Sequence, residues 1–341
     1  MNDSTLYYSI GPLLYCPASH TGIGRSLIQE RFGSHYSLAM CLEDTISDDH
    51  VEDAEKQLVS TVKMLFDAQK RQSFYMPRLF VRVRNPQQIH SLLTRMEESG
   101  RLVTGFIIPK FSPDNADCYM DAVRLAGQRS GRPVYLMPIL EDPCLIDPRT
   151  RVELLFRLKE RLDLMEKLVL NIRVGGNDLC HRFGFRRGRT ESIHSIRAIS
   201  DIFSDIVTVF GMDYVISGPV WEYYSGTDWD TGLKKELQED RLCGFVGKTV
   251  IHPNQIRLVN EAYKVSRTDL ADARAILNWD PASPRLVSGS ASSERMNEYK
   301  VHSNWARKIL LLSEAFGVAE PPENPMTCQV SARFFMRPHA L

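Results

Sequence analysis

The chain has no excess of charge: 42 Lys and Arg stand against 42 Asp and Glu, a formal net charge of zero. Global electrostatics therefore gives no reason to expect nucleic acid or a membrane surface as a partner, and any electrostatic function must come from local clusters. Paired cysteines are also missing. The seven (Cys16, Cys41, Cys118, Cys144, Cys180, Cys243 and Cys328) are scattered, odd in number and never spaced as CxxC. That excludes a disulfide framework and a thiolate zinc site, and it fits a reducing cytoplasm. No run approaches the roughly 18 consecutive apolar residues of a membrane-spanning helix. The opening MNDSTLYYSIGPLLY has neither the basic start nor the apolar stretch of a secretory signal, so none is expected. No internal repeat or low-complexity block is evident.

What is present is alternation. Eight apolar, β-branched or aromatic runs occur at 12–16, 37–43, 78–84, 103–109, 133–140, 167–174, 212–218 and 244–252, mostly bounded by Gly, Pro or charge. Between them lie amphipathic stretches. The run 49–70 places Val51, Ala54, Leu58, Val62 and Leu65 on one stripe behind an acidic start, and 86–99 opens with Pro86 at a helix-start position. Residues 114–130, 149–165, 192–210, 230–241 and 253–265 read the same way. Eight buried strands alternating with helices argue for a parallel sheet. Spread over about 260 residues, that count favours a closed (β/α)8 TIM barrel over an open doubly wound sheet. The barrel domain is expected over 1–265. Residues 266–341 form an extension with helical patterns at 269–279 and 302–316, separated by a Pro/Ser/Gly-rich stretch, 280–294, that reads as an exposed loop.

In such barrels the chemistry sits at the C-terminal ends of the strands. Polar residues recur there: Glu43 and Asp44 after the second run, Arg82 and Arg84 on the third, Lys110 after the fourth, Glu141 and Asp142 after the fifth, Asp178 after the sixth, and Lys248 and His252 on the eighth. Glu141 and Asp178 follow adjacent strands and so are able to approach each other. Two carboxylates with room for waters suit Mg²⁺, which keeps several waters and takes few protein ligands. The plainer alternative pairs these acids with Arg82 or Lys110, and spacing alone leaves both open. The stretch RVGGNDLCHRFGFRRGRT (173–190) surrounds Asp178 with positive charge. Its Arg186 and Arg187, with Arg25 after the first strand, are candidate contacts for an anionic substrate, because guanidinium groups bind carboxylate and phosphate bidentately. A solvated basic loop is the alternative.

The motifs CLEDTI (41–46), VRVRNP (81–86), IIPK (107–110), PILEDP (138–143), GGNDL (175–179) and GFVGKTVIHPNQI (244–256) follow one another in this order. In that order they resemble the citrate lyase beta-subunit-like and malyl-CoA lyase-like family of carbon–carbon lyases, over roughly residues 12 to 265. The last motif is the most specific. The resemblance implies a TIM barrel and a divalent metal, Mg²⁺ with Mn²⁺ as the alternative, held by Glu141 and Asp178. A third-strand arginine would bind the substrate's carboxylate or carbonyl oxygen. The reaction implied is retro-aldol or retro-Claisen cleavage, or the reverse condensation, through a metal-bound enolate. Two departures stand out. Cys41 occupies the place of the usual first Asp in the second-strand motif, and the third strand offers both Arg82 and Arg84, of which Arg82 is favoured. Lys110, Glu43 and Asp44 complete the catalytic set, the last two as candidate general bases.

The substrate expected is a small anionic molecule: a hydroxy acid, a CoA thioester or a phosphorylated compound. Two other readings remain open at this point, a thioester hydrolase on the same scaffold and a barrel that has lost catalysis and serves as a binding or assembly subunit. The apolar helix WARKILLLSEAF needs something to bury Leu310, Leu311, Leu312 and Phe316. The expectation is a homo-oligomer, a trimer or a multiple of three, in which 266–341 packs across a subunit boundary and helps to cover an active site. The alternative is that the segment folds back on its own barrel.

Overall fold

The computed structural model describes residues 4–291 and 293–320. A helical turn α1 (Thr5–Tyr8) leads into β1 (Pro12–Pro17), α2 (Ile23–Ile28), β2 (Ser37–Cys41), α3 (Val51–Gln69), β3 (Arg78–Arg82), α4 (Pro86–Met96), β4 (Val103–Ile108), α5 (Ala116–Ser130), β5 (Tyr135–Leu140), α6 (Arg151–Asp163), β6 (Ile172–Val174), α7 (Gly176–Phe183), α8 (Arg197–Phe210), β7 (Ile216–Ser217), α9 (Trp229–Leu242), β8 (Lys248–Val250) and α10 (Asn254–Tyr263). Then come α11 (Arg267–Leu277), a short antiparallel pair β9 (Val287–Gly289) and β10 (Met296–Glu298), and α12 (Tyr299–Phe316).

The helices form where the 3.6-residue period puts an apolar stripe against the sheet. In α3 the stripe is Ala54, Leu58, Val62 and Leu65, all buried. Asn85 caps α4 by accepting the Gln88 N–H, with Pro86 at the first helical position. All eight barrel strands pair in parallel, β1 with both β2 and β8. The ring closes between β7 and β8 through a parallel bridge of Gly218 and Lys248 and the bond from Val246 N–H to Ile216 O at 2.7 Å. The architecture is a TIM barrel.

Because side chains alternate along a strand, each strand gives one series to the helices and one to the interior. The inward series begins with Leu13, Ala39, Phe80, Ile107, Met137, Leu170, Val215 and Val246, an apolar plug at the N-terminal end of the barrel, sealed by Tyr7, Tyr8 and Ile10. Two residues further along their strands the same inward positions carry Tyr15, Cys41 and Arg82. On β5 the inward step past Ile139 is Glu141. The barrel is thus oily at one end and ionic at the other.

Two expectations need revision, one for residues 280–294 and one for α12. Residues 280–294 are not wholly loop, since Val287–Gly289 pairs with Met296–Glu298. The glycine turn after β6 runs directly into a helix, α7, so Asp178 sits in a helical first turn. The segment α12 folds back on its own barrel. Leu311, Leu312, Ala315 and Phe316 pack on the apolar plug of their own barrel, at the end opposite to the ionic strand ends. Val265 and Val318 form a parallel bridge, and Phe316 lies over the Tyr263 ring at 5.2 Å. The physical reason is the length of α1: one turn leaves the bottom of the barrel open, and α12 covers it. Residues 321–341 of the extension lie outside the described residues. No helix among the described residues is long and apolar enough to cross a membrane.

Candidate active site

Arg82 is the hub. It ends β3 pointing inward, is 8% exposed, and its guanidinium lies 2.6 Å from Glu43, 2.8 Å from Asp44 and 3.2 Å from Glu141. Lys110 reaches the same two acids from the other side. Its Nζ donates to Glu43 and lies 3.1 Å from Asp44. Its backbone N–H donates to Glu141 Oε1 at 3.1 Å. That last bond needs the chain to turn sharply after β4, and Lys110 holds φ at +48° to do so. A non-glycine residue there is strained, and such strain persists where the surroundings over-determine it. Here Asn115 grips the Lys110 carbonyl at 2.9 Å and Phe111 N–H bonds to Ile139 O at 3.0 Å.

Glu141 is 4% exposed. Burial pushes its carboxyl up, and the neighbouring Asp178 carboxylate adds to this against the pull of Arg82, to about 8. Glu141 lies over the end of β6, where a Cβ on Gly175 would overlap its carboxylate. Glycine is required there by close approach. Asp178, one helical turn further on, is half-buried and makes no hydrogen bond or ion pair with any described residue. Asp44 is the more open of the acids, with 47% of its side chain exposed. Burial works against its charge, but the hydrogen bond with Glu43 and the charges of Arg82 and Lys110 bring its carboxyl below the ordinary range.

These residues fit a small hard cation. Glu141 and Asp178 are acid neighbours on adjacent strand ends, the second has no protein partner, and a divalent ion between them would relieve the burden on Glu141. No group of three or more acidic, His or Cys ligands occurs among the described residues. Waters would fill the remaining positions, as Mg²⁺ prefers.

Of the other residues singled out from the sequence, Arg84 is not in this cluster. It turns back to bind the β2–α3 loop through Leu42 O at 2.6 Å, Glu43 O at 3.2 Å, Ile46 O and Asp48. Arg187 is not presented to substrate either. It is 3% exposed, sits 3.1 Å from the fully buried Glu236, and bonds to Asn177 and to the Val220 carbonyl. Arg186 is exposed and pairs with Glu222 at 3.3 Å, and Arg25 is exposed on α2. Lys248 faces outward between β8 and α9, 2.9 Å from Glu236 and 2.7 Å from Asp240, all three fully buried. His252 stacks on Tyr224 at 4.7 Å and accepts the Asn254 N–H at the start of α10.

Sequence reading passed over two residues of the barrel interior. Arg173 on β6 is 2% exposed and Tyr15 on β1 is half-buried, and the two are neighbours in the barrel interior. The signal was available: a tyrosine in PLLYC and an arginine in NIRV are polar groups inside otherwise apolar strands.

No curated protein matches the chain. Solved structures do. A citrate lyase from Burkholderia xenovorans shares 14% identity at a TM-score of 0.68, over 92% of this chain and 94% of that one. The protein CitE from Mycobacterium tuberculosis, solved with magnesium, acetoacetate and coenzyme A, shares 17% identity at a TM-score of 0.59, over 90% and 99%. A citrate lyase beta subunit from the same organism, complexed with oxaloacetate and magnesium, shares 17% at 0.51, over 76% and 99%. At these identities the likeness concerns the fold. The family model for C–C bond lyases of the TIM-barrel fold matches residues 4–318. The chain belongs to that family of carbon–carbon bond lyases.

Proposed function

We propose that this protein cleaves, or forms, a carbon–carbon bond in a small anionic hydroxy or oxo acid, free or as a CoA thioester or phosphorylated compound, with Mg²⁺ (or Mn²⁺) held by Glu141 and Asp178. The observation that carries the reading is the pair itself: a buried carboxyl raised to about 8 beside an acid that has no protein partner, ringed by Arg82 and Lys110. The complexes of the structural relatives with magnesium and with acetoacetate or oxaloacetate agree with it. When bound there, the metal supplies a Lewis acid for an oxygen on which negative charge develops.

The chain's own groups divide the remaining work. The Nε of Arg82 is buried without a partner, which leaves a donor of its planar fork for a substrate carboxylate or carbonyl oxygen. In the cleavage direction Asp44 or Glu43 takes the proton from the substrate hydroxyl. The O–H electrons form the new carbonyl, the carbon–carbon bond breaks, and its pair moves into an enolate oxygen facing Arg82. Lys110 holds both acids in place. Asp44 suits the role of base because it is the acid open to solvent.

A homo-oligomer, a trimer or a multiple of three, belongs to the same reading. Met212 and Leu242 are 72% and 87% exposed near the closed end of the barrel, and Leu310 and Leu311 stay half-buried there.

The test is a panel of hydroxy acids and acyl-CoA compounds incubated with protein and Mg²⁺ and followed by mass spectrometry. Paired fragments that vanish with a chelator and fall about 100-fold or more with Arg82→Lys are expected. Thioester hydrolysis with the carbon skeleton intact would favour a hydrolase. Failure to bind Mg²⁺ and to turn over any compound would favour an inactive binding subunit.

A further inference from the structure

Arg173 is a charge without a counter-charge. Its guanidinium donates to Asn171 Oδ1 at 3.2 Å and Thr249 Oγ1 at 2.6 Å, both neutral groups, and the neutral Tyr15 lies beside it. Its Nε is buried with no partner at all. No carboxylate pairs with it among the described residues, in contrast to the other fully enclosed cations. Arg82 has three acids, Arg187 has Glu236, and Lys248 has Glu236 and Asp240. A buried guanidinium without a counter-ion is costly to keep, since desolvation works against the charge and nothing repays it.

Its place in the barrel is informative. Arg173 stands opposite Ile139 in the β5–β6 register, one inward step below Glu141. It faces Thr249 of β8 and Tyr15 of β1 across the interior. Tyr15 points inward and is half-buried, whereas Arg173 below the ionic rim is 2% exposed. Tyr15 lies close enough to Arg173 and to Arg82 to sense both charges. Arg82 is already neutralised, and Arg173 is not.

We infer that Arg173, with Tyr15 and Thr249 as neutral donors beside it, is a second anion-binding point that receives a carboxylate of the substrate from below the Glu141–Asp178 pair. The substrate class becomes narrower: an acid with one oxygen-bearing carbon at Arg82 and a further carboxylate directed down the barrel axis. The inference deepens the lyase reading and rests on it for the reaction, but the anion site stands or falls without metal.

Malonate serves as the probe, titrated by calorimetry and by melting temperature into wild-type protein, Arg173→Met and Arg173→Lys in metal-free buffer. The wild type should bind malonate and melt higher with it. Arg173→Met should bind at least tenfold more weakly, yet melt no lower than wild type without ligand, because an uncompensated buried charge has gone. Arg173→Lys keeps the charge but not the fork and should fall between the two. If Arg173→Met does not fold, Arg173→Lys decides alone: a tenfold loss supports the site and unchanged affinity overturns it. Equal malonate affinity in wild type and Arg173→Met overturns it, as does a wild type that binds no malonate. A merely structural arginine would show a lower melting temperature with unchanged affinity. Absence of Mg²⁺ binding by the wild type would count against the lyase reading and leave the malonate result standing.

Discussion

At the scale of single residues, the site is a negotiation between burial and charge. Glu141 keeps its proton to about pH 8 because burial and Asp178 outweigh Arg82. A metal ligand must be deprotonated, so binding Mg²⁺ has to expel that proton. Below pH 8 this costs affinity, and above it the cost vanishes. Calorimetry at pH 6.5 and pH 8.5 should therefore show tighter Mg²⁺ binding at the higher pH, with proton release at the lower. Glu141→Gln and Asp178→Asn should each weaken Mg²⁺ binding by more than the roughly 10–100-fold typical of residues that only support a ligand. Wild-type affinity in both would sink the assignment. The two arginines of the third-strand motif separate in the same way. Arg84 holds backbone carbonyls of the β2–α3 loop, so Arg84→Lys should loosen the loop and lower the melting temperature while leaving Mg²⁺ binding intact. Arg82→Lys should lower turnover with little change in melting.

At the scale of elements, the question is why helix α9 and strand β8 carry so much buried charge. Lys248 bridges Glu236 and Asp240, Arg187 shares Glu236, and His194 lies 2.7 Å from Asp240. This network ties the β6–α8 connection to the last βα unit, and with it the frame behind Asp178. Removing one partner strands the rest in a dry layer. Lys248→Met should cost about 3–5 kcal/mol in urea unfolding. A change below about 1 kcal/mol would show that the network is not structural. The arginines after Asp178, which in the sequence look like one basic cluster, divide here into a buried tie, Arg187, and an exposed surface residue, Arg186. Charge composition cannot reveal that division. It depends on which face of the connection meets Glu236.

At the scale of the whole molecule, the ionic strand ends and the helical closure occupy opposite ends of the barrel. α12 and α1 together seal the apolar end, so damage there should unfold without touching chemistry. Phe316→Ala, which removes a half-buried ring packed on Tyr263, should cost about 1–3 kcal/mol and leave Mg²⁺ affinity as in wild type. Light scattering on the full chain should give a mass at a multiple of three protomers, and a monodisperse monomer of 38.9 kDa would remove the oligomer from the proposal.

Periodicity alone determined a great deal. The eight strand runs and most helices are legible because a two-residue and a 3.6-residue apolar repeat have no other economical fold when they alternate. The strand-end rule then located Glu43, Asp44, Arg82, Lys110, Glu141 and Asp178, since residues following parallel strands share one rim whatever the loops do. The sequence favoured Arg82, and only the tertiary structure shows what separates it from Arg84: the acid cluster of the barrel surrounds one and the β2–α3 loop the other. The tertiary structure also showed that α12 closes the bottom of its own barrel. An apolar face in a sequence says that something must be buried, and the open end left by a one-turn α1 says where. Arg173 belongs to the same class. Its distinguishing property is a missing counter-charge, and the absence of a neighbour exists only in three dimensions.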